Sequence, residues 1–312
     1  MITVDKKDNK PKLPPEHLAT APVAYENEDF LNSSDGRPFR ILSEYAEPLA
    51  RFRRERIQDT VVFFGSARIR SMEVATAALQ KARAGADQEQ LRRAETAVEM
   101  SHYYEDARKL ARMMAGWACS LGGPRHRFVV TSGGGPGIME AANRGAFEAG
   151  CRTIGLNIAL PFEQEPNHWI TPELNFQFHY FFMRKLWFAY LAKALVVFPG
   201  GFGTFDEMFE MLTLAQTQKM AKKITVVIYG SSYWNSIINM QTLVDKGVIA
   251  PEDVNLFQFA DTPEQAFSIL QAGLIANHLQ PHAQETSVPP PPKEPAPSAQ
   301  ELLGPDISKT RA

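Results

Sequence analysis

Short apolar runs without polar alternation recur along the chain, each followed by small or turn-forming residues and then by a stretch of helical periodicity. Thr60-Val-Val-Phe-Phe64 runs into Gly65-Ser66-Ala67-Arg68, and Leu195-Val196-Val197-Phe198 runs into Pro199-Gly200-Gly201. Comparable runs occupy 127–131, 152–158, roughly 174–179 and 224–229, with a weaker one at 254–259. Continuous β-branched and aromatic character of this kind suits strands covered on both faces. Between the runs the apolar spacing is helical. Ile41, Leu42, Tyr45, Leu49 and Phe52 can share one face of a helix over 39–57, and further helices are predicted over 104–117, from Ile138, over 182–193, from Phe205 and over 262–278. Strands alternating with helices predict an α/β fold: a Rossmann-like, doubly wound, mostly parallel sheet with helices on both faces.

The pattern also divides the chain. Residues 1–58 read as an N-terminal extension carrying one helix, and 59–279 as the Rossmann-like domain. A charged, Ala-rich helical insertion at about 71–100 is expected on its surface. From 280 to 312 the composition turns to Pro, Ser and Gln, which reads as a disordered Pro-rich tail that builds no core.

Composition narrows the partners. The 312 residues are 44% hydrophobic with a formal net charge of -2, which gives no case for bulk nucleic-acid binding. The first residues are polar and hold no apolar signal segment, and the most apolar segment, 181–198, carries Arg184, Lys185 and Lys193. A cytoplasmic protein with neither membrane nor nucleic-acid partner is expected. Cys119 and Cys151 are too few for a stapled framework and read as reduced core residues.

Candidate chemistry gathers at two glycine clusters. After the run at 195–198, Pro199 ends the strand, and Gly200, Gly201 and Gly203 leave the backbone open to a ligand and free to take positive φ. A helix follows, with Phe205, Met208, Phe209 and Leu212 on its apolar face and Thr204 predicted at or near its N-cap. Unpaired N–H groups and the positive end of the helix dipole meet there, so an anion is the natural ligand. Thr204 and Glu207 also fit a capping box, a purely structural role. The second cluster, Gly133-Gly134-Gly135-Pro-Gly137, again joins a strand to a helix, and both lie at carboxyl ends of strands, where open α/β sheets bind ligands.

The sequence lacks a GxxxxGK[ST] loop, a GxGxxG with its acidic partner, a GxSxG elbow, CxxC and HExxH, and its seven histidines are scattered. Those absences count against an ATPase, a dehydrogenase, an esterase and a metalloenzyme, and no cofactor or metal is expected. Two anion-accepting loops without ATP or dinucleotide signatures point instead to a nucleoside monophosphate or a similar small phosphate ester. Arg184 and Lys185 place two cations ahead of the central strand, where an arginine offers a charged fork to phosphate or sugar oxygens.

These residues carry a resemblance. PGGFGTFDE at 199–207 is similar to the PGGxGTxxE signature of the LONELY GUY (LOG) family, once widely described as lysine decarboxylases, and GGGPGIMEAANRGA at 133–146 and Met183-Arg184-Lys185 resemble its other blocks. The resemblance implies a Rossmann-like homodimer or higher homo-oligomer that hydrolyses the N-glycosidic bond of a nucleoside 5′-monophosphate, AMP or a cytokinin riboside monophosphate, to free base and ribose 5-phosphate. It puts phosphate at Gly200, Gly201, Gly203 and Thr204 and catalysis at Arg184 and Glu207. Gly134, Gly135, Glu140, Met183 and Lys185 would line the nucleotide site. Decarboxylation through pyridoxal is not expected, because no lysine sits in a context suited to a Schiff base. A rival reading keeps the same glycines for binding without turnover, as a nucleotide sensor or a carrier of molybdenum cofactor. The extension, the insertion and the tail depart from the compact plant form.

Overall fold

The apolar runs become seven strands in the computed structural model, which describes residues 20–279 apart from 86, 162–164, 220 and 221. They are β1 (Thr60–Phe64), β2 (Val129–Ser132), β3 (Thr153–Ile158), β4 (Asn175–Phe178), β5 (Ala192–Val197), β6 (Thr225–Tyr229) and β7 (Gln258–Ala260). All pair in parallel, in the order β4-β3-β2-β1-β5-β6-β7. The fold is therefore the predicted α/β, Rossmann-like one. Strands β1 and β6 are buried at every position, as their unbroken apolar character requires, whereas β4, at one edge, alternates exposed and buried residues.

Ten α-helices occupy the described residues: α1 (Glu28–Asn32), α2 (Arg37–Arg54), α3 (Met72–Arg83), α4 (Gln88–Ser120), α5 (Ile138–Glu148), α6 (Phe181–Leu191), α7 (Phe202–Gln216), α8 (Ser231–Ile237), α9 (Met240–Asp245) and α10 (Pro263–Leu274). Helix α5 packs on β1, β2 and β3 and on α4, which in turn meets α10. The other face carries α6 and α7, with α2 against α6. There Phe52 of α2 stacks near Phe176 and Trp187, with ring centroids 4.7 and 5.3 Å apart. The backbone carbonyl of Glu44 accepts the Trp187 indole N–H at 2.9 Å, and its carboxylate accepts the N–H groups of His179 and Tyr180 at 2.6 and 3.2 Å. A residue of the N-terminal extension thus fixes the entry into α6, the helix that carries Arg184.

The described residues up to Leu274 form one compact unit, and the π-helical turn Ile275–Leu279 belongs to a second. The Pro-rich tail lies outside the described residues, as does the beginning of the N-terminal extension.

Several boundaries differ from the sequence reading. Strand β5 begins at Ala192 rather than 195, because α6 ends at Leu191 and passes straight into the strand. Strand β2 starts at Val129. The preceding Phe128 has φ 52°, and Asp59 holds that corner by accepting its N–H at 2.6 Å and the Arg127 guanidinium at 2.8 Å. The last strand is only Gln258–Ala260, since Pro251–Leu256 coils into a 3-10 helix. The insertion is α3 and the first half of α4, and α4 continues without a break into the sheet-packing helix. The short helices α8 and α9 were not foreseen.

Cys119 and Cys151 also differ from expectation. They form a disulfide rather than lying reduced in the core: Cys119 is exposed at the end of α4 and Cys151 half-buried before β3, with Cα atoms 6.5 Å apart. Packing of α5 on α4 brings the two segments together, a proximity that 32 residues of sequence separation conceal.

Candidate functional site

Strand order reverses between β1 and β5, and the carboxyl ends of those neighbours open into a cleft of about 730 Å³. Three loops meet there. Gly65 to Arg68 follows β1, Gly133 belongs to the loop after β2, and Gly200 to Thr204 follow β5. The β1 loop ties the other two together: the Ser66 N–H donates to the Pro199 carbonyl at 3.0 Å, and the Ser66 carbonyl accepts the Ile138 N–H at 3.1 Å. Gly137 is obligatory at this junction, because its φ is +73° and a Cβ there would lie 2.3 Å from the Ser66 carbonyl oxygen.

The β5 loop enters α7 one turn earlier than the sequence suggests. Gly201, in extended backbone, is the N-cap, and Phe202 is the first helical residue. Thr204 is therefore not the cap. Its side chain packs over Gly200, where a Cβ would fall 2.1 Å from Thr204 Oγ1. Nor do Gly200, Gly201 and Gly203 adopt positive φ. What they supply is lack of bulk, since a Cβ at Gly201 or Gly203 would meet nothing within 4 Å. The first intrahelical bond runs from the Phe205 N–H to the Gly201 carbonyl at 3.0 Å, so the N–H groups of Phe202, Gly203 and Thr204 have no acceptor within the helix. They form the positive end of the dipole of a 15-residue helix.

The capping-box alternative fails because no side chain caps α7, and Glu207 is engaged elsewhere. Arg184 Nη2 donates to Glu207 Oε1 at 2.8 Å, and the two side chains are 12% and 13% exposed. Burial pushes the Glu207 carboxyl up to about 7, against the pull of the Arg184 charge, and the carboxylates of Asp206 and Glu210 add to the rise. The Arg184 guanidinium lies 5.3 Å from the ring of Phe181 and 5.6 Å from that of Phe188. Its Nε is buried without a hydrogen-bond partner, while Nη1 lies 3.9 Å from where a Cβ on Gly133 would be. One arginine thus holds the first turns of α7 through Glu207, lies beside the second glycine loop, and keeps donor capacity in reserve.

The structure brings Gly200, Gly201, Gly203, Thr204, Arg184 and Glu207 into one cleft. The other predicted residues lie around it. The Gly134 and Gly135 carbonyls accept from Asn167 Nδ2 at 3.0 and 3.1 Å, behind the second loop. Asn167 is itself bonded to buried Asn143, which also accepts from Ser132 and donates to Thr153. Glu140 accepts the Tyr104 hydroxyl at 2.8 Å, and burial pushes that phenol up to about 12, so it stays a donor. Met183 is buried in the core, and Lys185 pairs with Asp206 at 2.7 Å and Glu210 at 3.3 Å.

Other lining residues were not singled out from sequence: Ser66, Arg68, Asn157, Phe202, Tyr233 and Ile237. The Tyr233 hydroxyl donates to the Gly200 carbonyl at 2.9 Å, which fastens α8 to the β5 loop. Ser66 and Arg68 could have been found, since they follow the first strand directly. Tyr233 and Ile237 could not, because nothing in sequence announced α8. Among the described residues no group of three or more His, Cys, Asp or Glu is placed to hold a metal ion, and no helix is long and apolar enough to cross a membrane.

Residues 139–270 match the family described as "Possible lysine decarboxylase". Among curated proteins the chain is 25% identical over 143 residues to a "Probable cytokinin riboside 5'-monophosphate phosphoribohydrolase" of Arabidopsis thaliana, a match covering 46% of this chain and 71% of the relative. Two proteins of the same description from Oryza sativa subsp. japonica are 25% and 26% identical over 46% of this chain and 67% and 57% of their own lengths. Among solved structures, the molybdenum cofactor carrier protein of Chlamydomonas reinhardtii is similar at 18% identity and a TM-score of 0.41, over 70% of this chain and 98% of that one. The molybdenum cofactor binding protein of Rippkaea orientalis is similar at 20% identity and a TM-score of 0.36, over 55% and 86%.

Proposed function

The chain resembles the LOG family by family match and by curated relatives, and from that premise we propose that it is a nucleoside 5′-monophosphate phosphoribohydrolase. The reaction adds water across the N-glycosidic bond: C1′–N breaks, C1′–O forms, and free base and ribose 5-phosphate leave. The observation that carries the reading is the buried Arg184–Glu207 pair beside the open N-terminus of α7.

In this reading the phosphate sits on the N–H groups of Phe202, Gly203 and Thr204, where helix dipole and unpaired donors favour an anion. Anchoring one end of the nucleotide turns the encounter of the reacting carbon with Glu207 into an intramolecular event. Positive charge develops on the ribose as the base departs, and the Glu207 carboxylate stabilises it. The same carboxylate accepts a proton from the attacking water, and its value of about 7 makes it an effective base near neutral pH. Arg184 orients Glu207 through the 2.8 Å bond and uses its remaining donors on ribose or phosphate oxygens.

The curated relatives are described as acting on a cytokinin riboside 5′-monophosphate; the substrate of this reading is such an N6-modified nucleotide or AMP, and the protein would act as a homodimer. A second copy of the chain would cover the face of α6, where Phe182, Leu186 and Tyr190 are exposed. The test is product analysis: incubation with AMP should yield adenine and ribose 5-phosphate in equal amounts. Phosphate release with adenosine, or an intact nucleotide, would refute the assignment.

A further inference from the structure

The most exposed large hydrophobic side chain among the described residues is Phe202, at 96%, and it lines the cleft. An aromatic ring left almost wholly in water at the mouth of a site gains nothing for folding. It is also held in a defined place. Phe202 is the first residue of α7, between Gly201 and Gly203, and the loop beneath it is locked by Thr204 against Gly200 and by the Tyr233 hydroxyl on the Gly200 carbonyl. Neither neighbouring glycine has a Cβ to shield its ring faces. Ile237, 48% exposed, and Phe181, 51% exposed, are further apolar residues on the same cleft. Phe181 already lies against the Arg184 guanidinium and Phe205 and Tyr233 against Trp234, which leaves Phe202 as the large ring of the cleft with no aromatic or cationic neighbour among the described residues.

We propose that Phe202 is a specificity-determining residue of the cleft, a platform on which the planar base of the bound nucleotide stacks. The proposal rests on the nucleotide reading above and deepens it. Backbone donors around Phe202 hold the phosphate, while its ring holds the base, so one short loop recognises both ends of the ligand. Because a stacking face has no hydrogen-bonding pattern, it accepts adenine and its N6-modified forms alike.

The test compares ligands with and without a base. In the full chain carrying Glu207→Gln, so that turnover does not consume the ligand, the affinities for AMP and for ribose 5-phosphate are measured by calorimetry, with and without Phe202→Ala and Phe202→Trp. Phe202→Ala should weaken AMP by about tenfold or more, the usual size of a base–aromatic stack. Ribose 5-phosphate should change less than about twofold, within the range of a surface substitution, and Phe202→Trp should retain AMP. Circular dichroism of each variant checks that melting is unchanged, so that a change in affinity reports on the cleft. Equal weakening of both ligands, an unchanged AMP affinity, or wild-type-like binding of ribose 5-phosphate and AMP with the same constant would overturn the proposal. Tight AMP binding without base release in the wild-type protein would instead sink the hydrolase reading and leave the Phe202 result standing.

Discussion

Arg184 and Glu207 stand 23 residues apart in sequence, on α6 and α7, and meet at 2.8 Å at the mouth of the sheet's switch point. The strand between them, β5, makes that meeting possible by carrying the chain across the sheet from one helix to the other. Removing either partner should be severe. Glu207→Gln and Arg184→Ala should each lower base release by about 100-fold or more, the usual contribution of a positioned acid–base group, in a steady-state assay of adenine release.

The pH profile follows from the buried carboxyl. If the ionised form of Glu207 acts, kcat/KM should fall about tenfold for each pH unit below 7. Arg184 pulls the Glu207 value down, so in Arg184→Ala the residual activity should have its midpoint at higher pH than in the wild type. A midpoint that stays put or moves to lower pH would contradict the assignment.

The same group makes stability depend on pH in a direction opposite to that of a salt-bridged surface carboxylate. The folded protein keeps the Glu207 proton up to about 7, whereas the unfolded chain loses it near 4.5. Between those values the folded state binds more protons, so this contribution is full below pH 4.5 and is lost as pH rises through 7, a change of about 3 kcal/mol. Denaturant unfolding at pH 5 and pH 8 should show a drop in the wild type that Glu207→Gln lacks.

Substitutions in the β5 loop separate packing from ligand approach. Gly200→Ala would push a methyl group into Thr204 and should destabilise the protein by about 1–3 kcal/mol, as well as weaken phosphate binding. Gly201→Ala and Gly203→Ala meet open space, so melting temperature should barely move while affinity for ribose 5-phosphate falls. Loss of stability without loss of affinity in these two would place the phosphate elsewhere.

Asn167 offers a further check on the second loop. Asn167→Ala removes the donor shared by the Gly134 and Gly135 carbonyls and by Asn143, and should cost about 1–3 kcal/mol in unfolding free energy. Its effect on KM should exceed that on kcat if the loop positions substrate rather than reacting with it.

Much of this arrangement is legible in the sequence because it depends on local patterns. The unbroken runs at 60–64 and 225–229 read as doubly covered strands, and both are buried throughout. Glycine-rich loops leaving strands read as anion sites, and the β5 loop does open onto the cleft. Features that depend on tertiary neighbours were hidden. Thr204 looked like a cap because Thr, Glu and a following apolar face make a generic signature, yet a glycine with extended backbone starts the helix. Glu44 reaching across to α6, Asn167 clamping the second loop, and the Cys119–Cys151 pair all join residues that no periodicity links.

The most direct test of the central claim is adenine release from AMP by the purified wild-type chain, set beside Glu207→Gln and Arg184→Ala variants whose folding and AMP binding have been checked. Stoichiometric adenine and ribose 5-phosphate from the wild type, lost in both variants while AMP still binds, is the expected result. AMP bound by all three proteins and hydrolysed by none would contradict it and make the cleft a nucleotide-binding site without turnover.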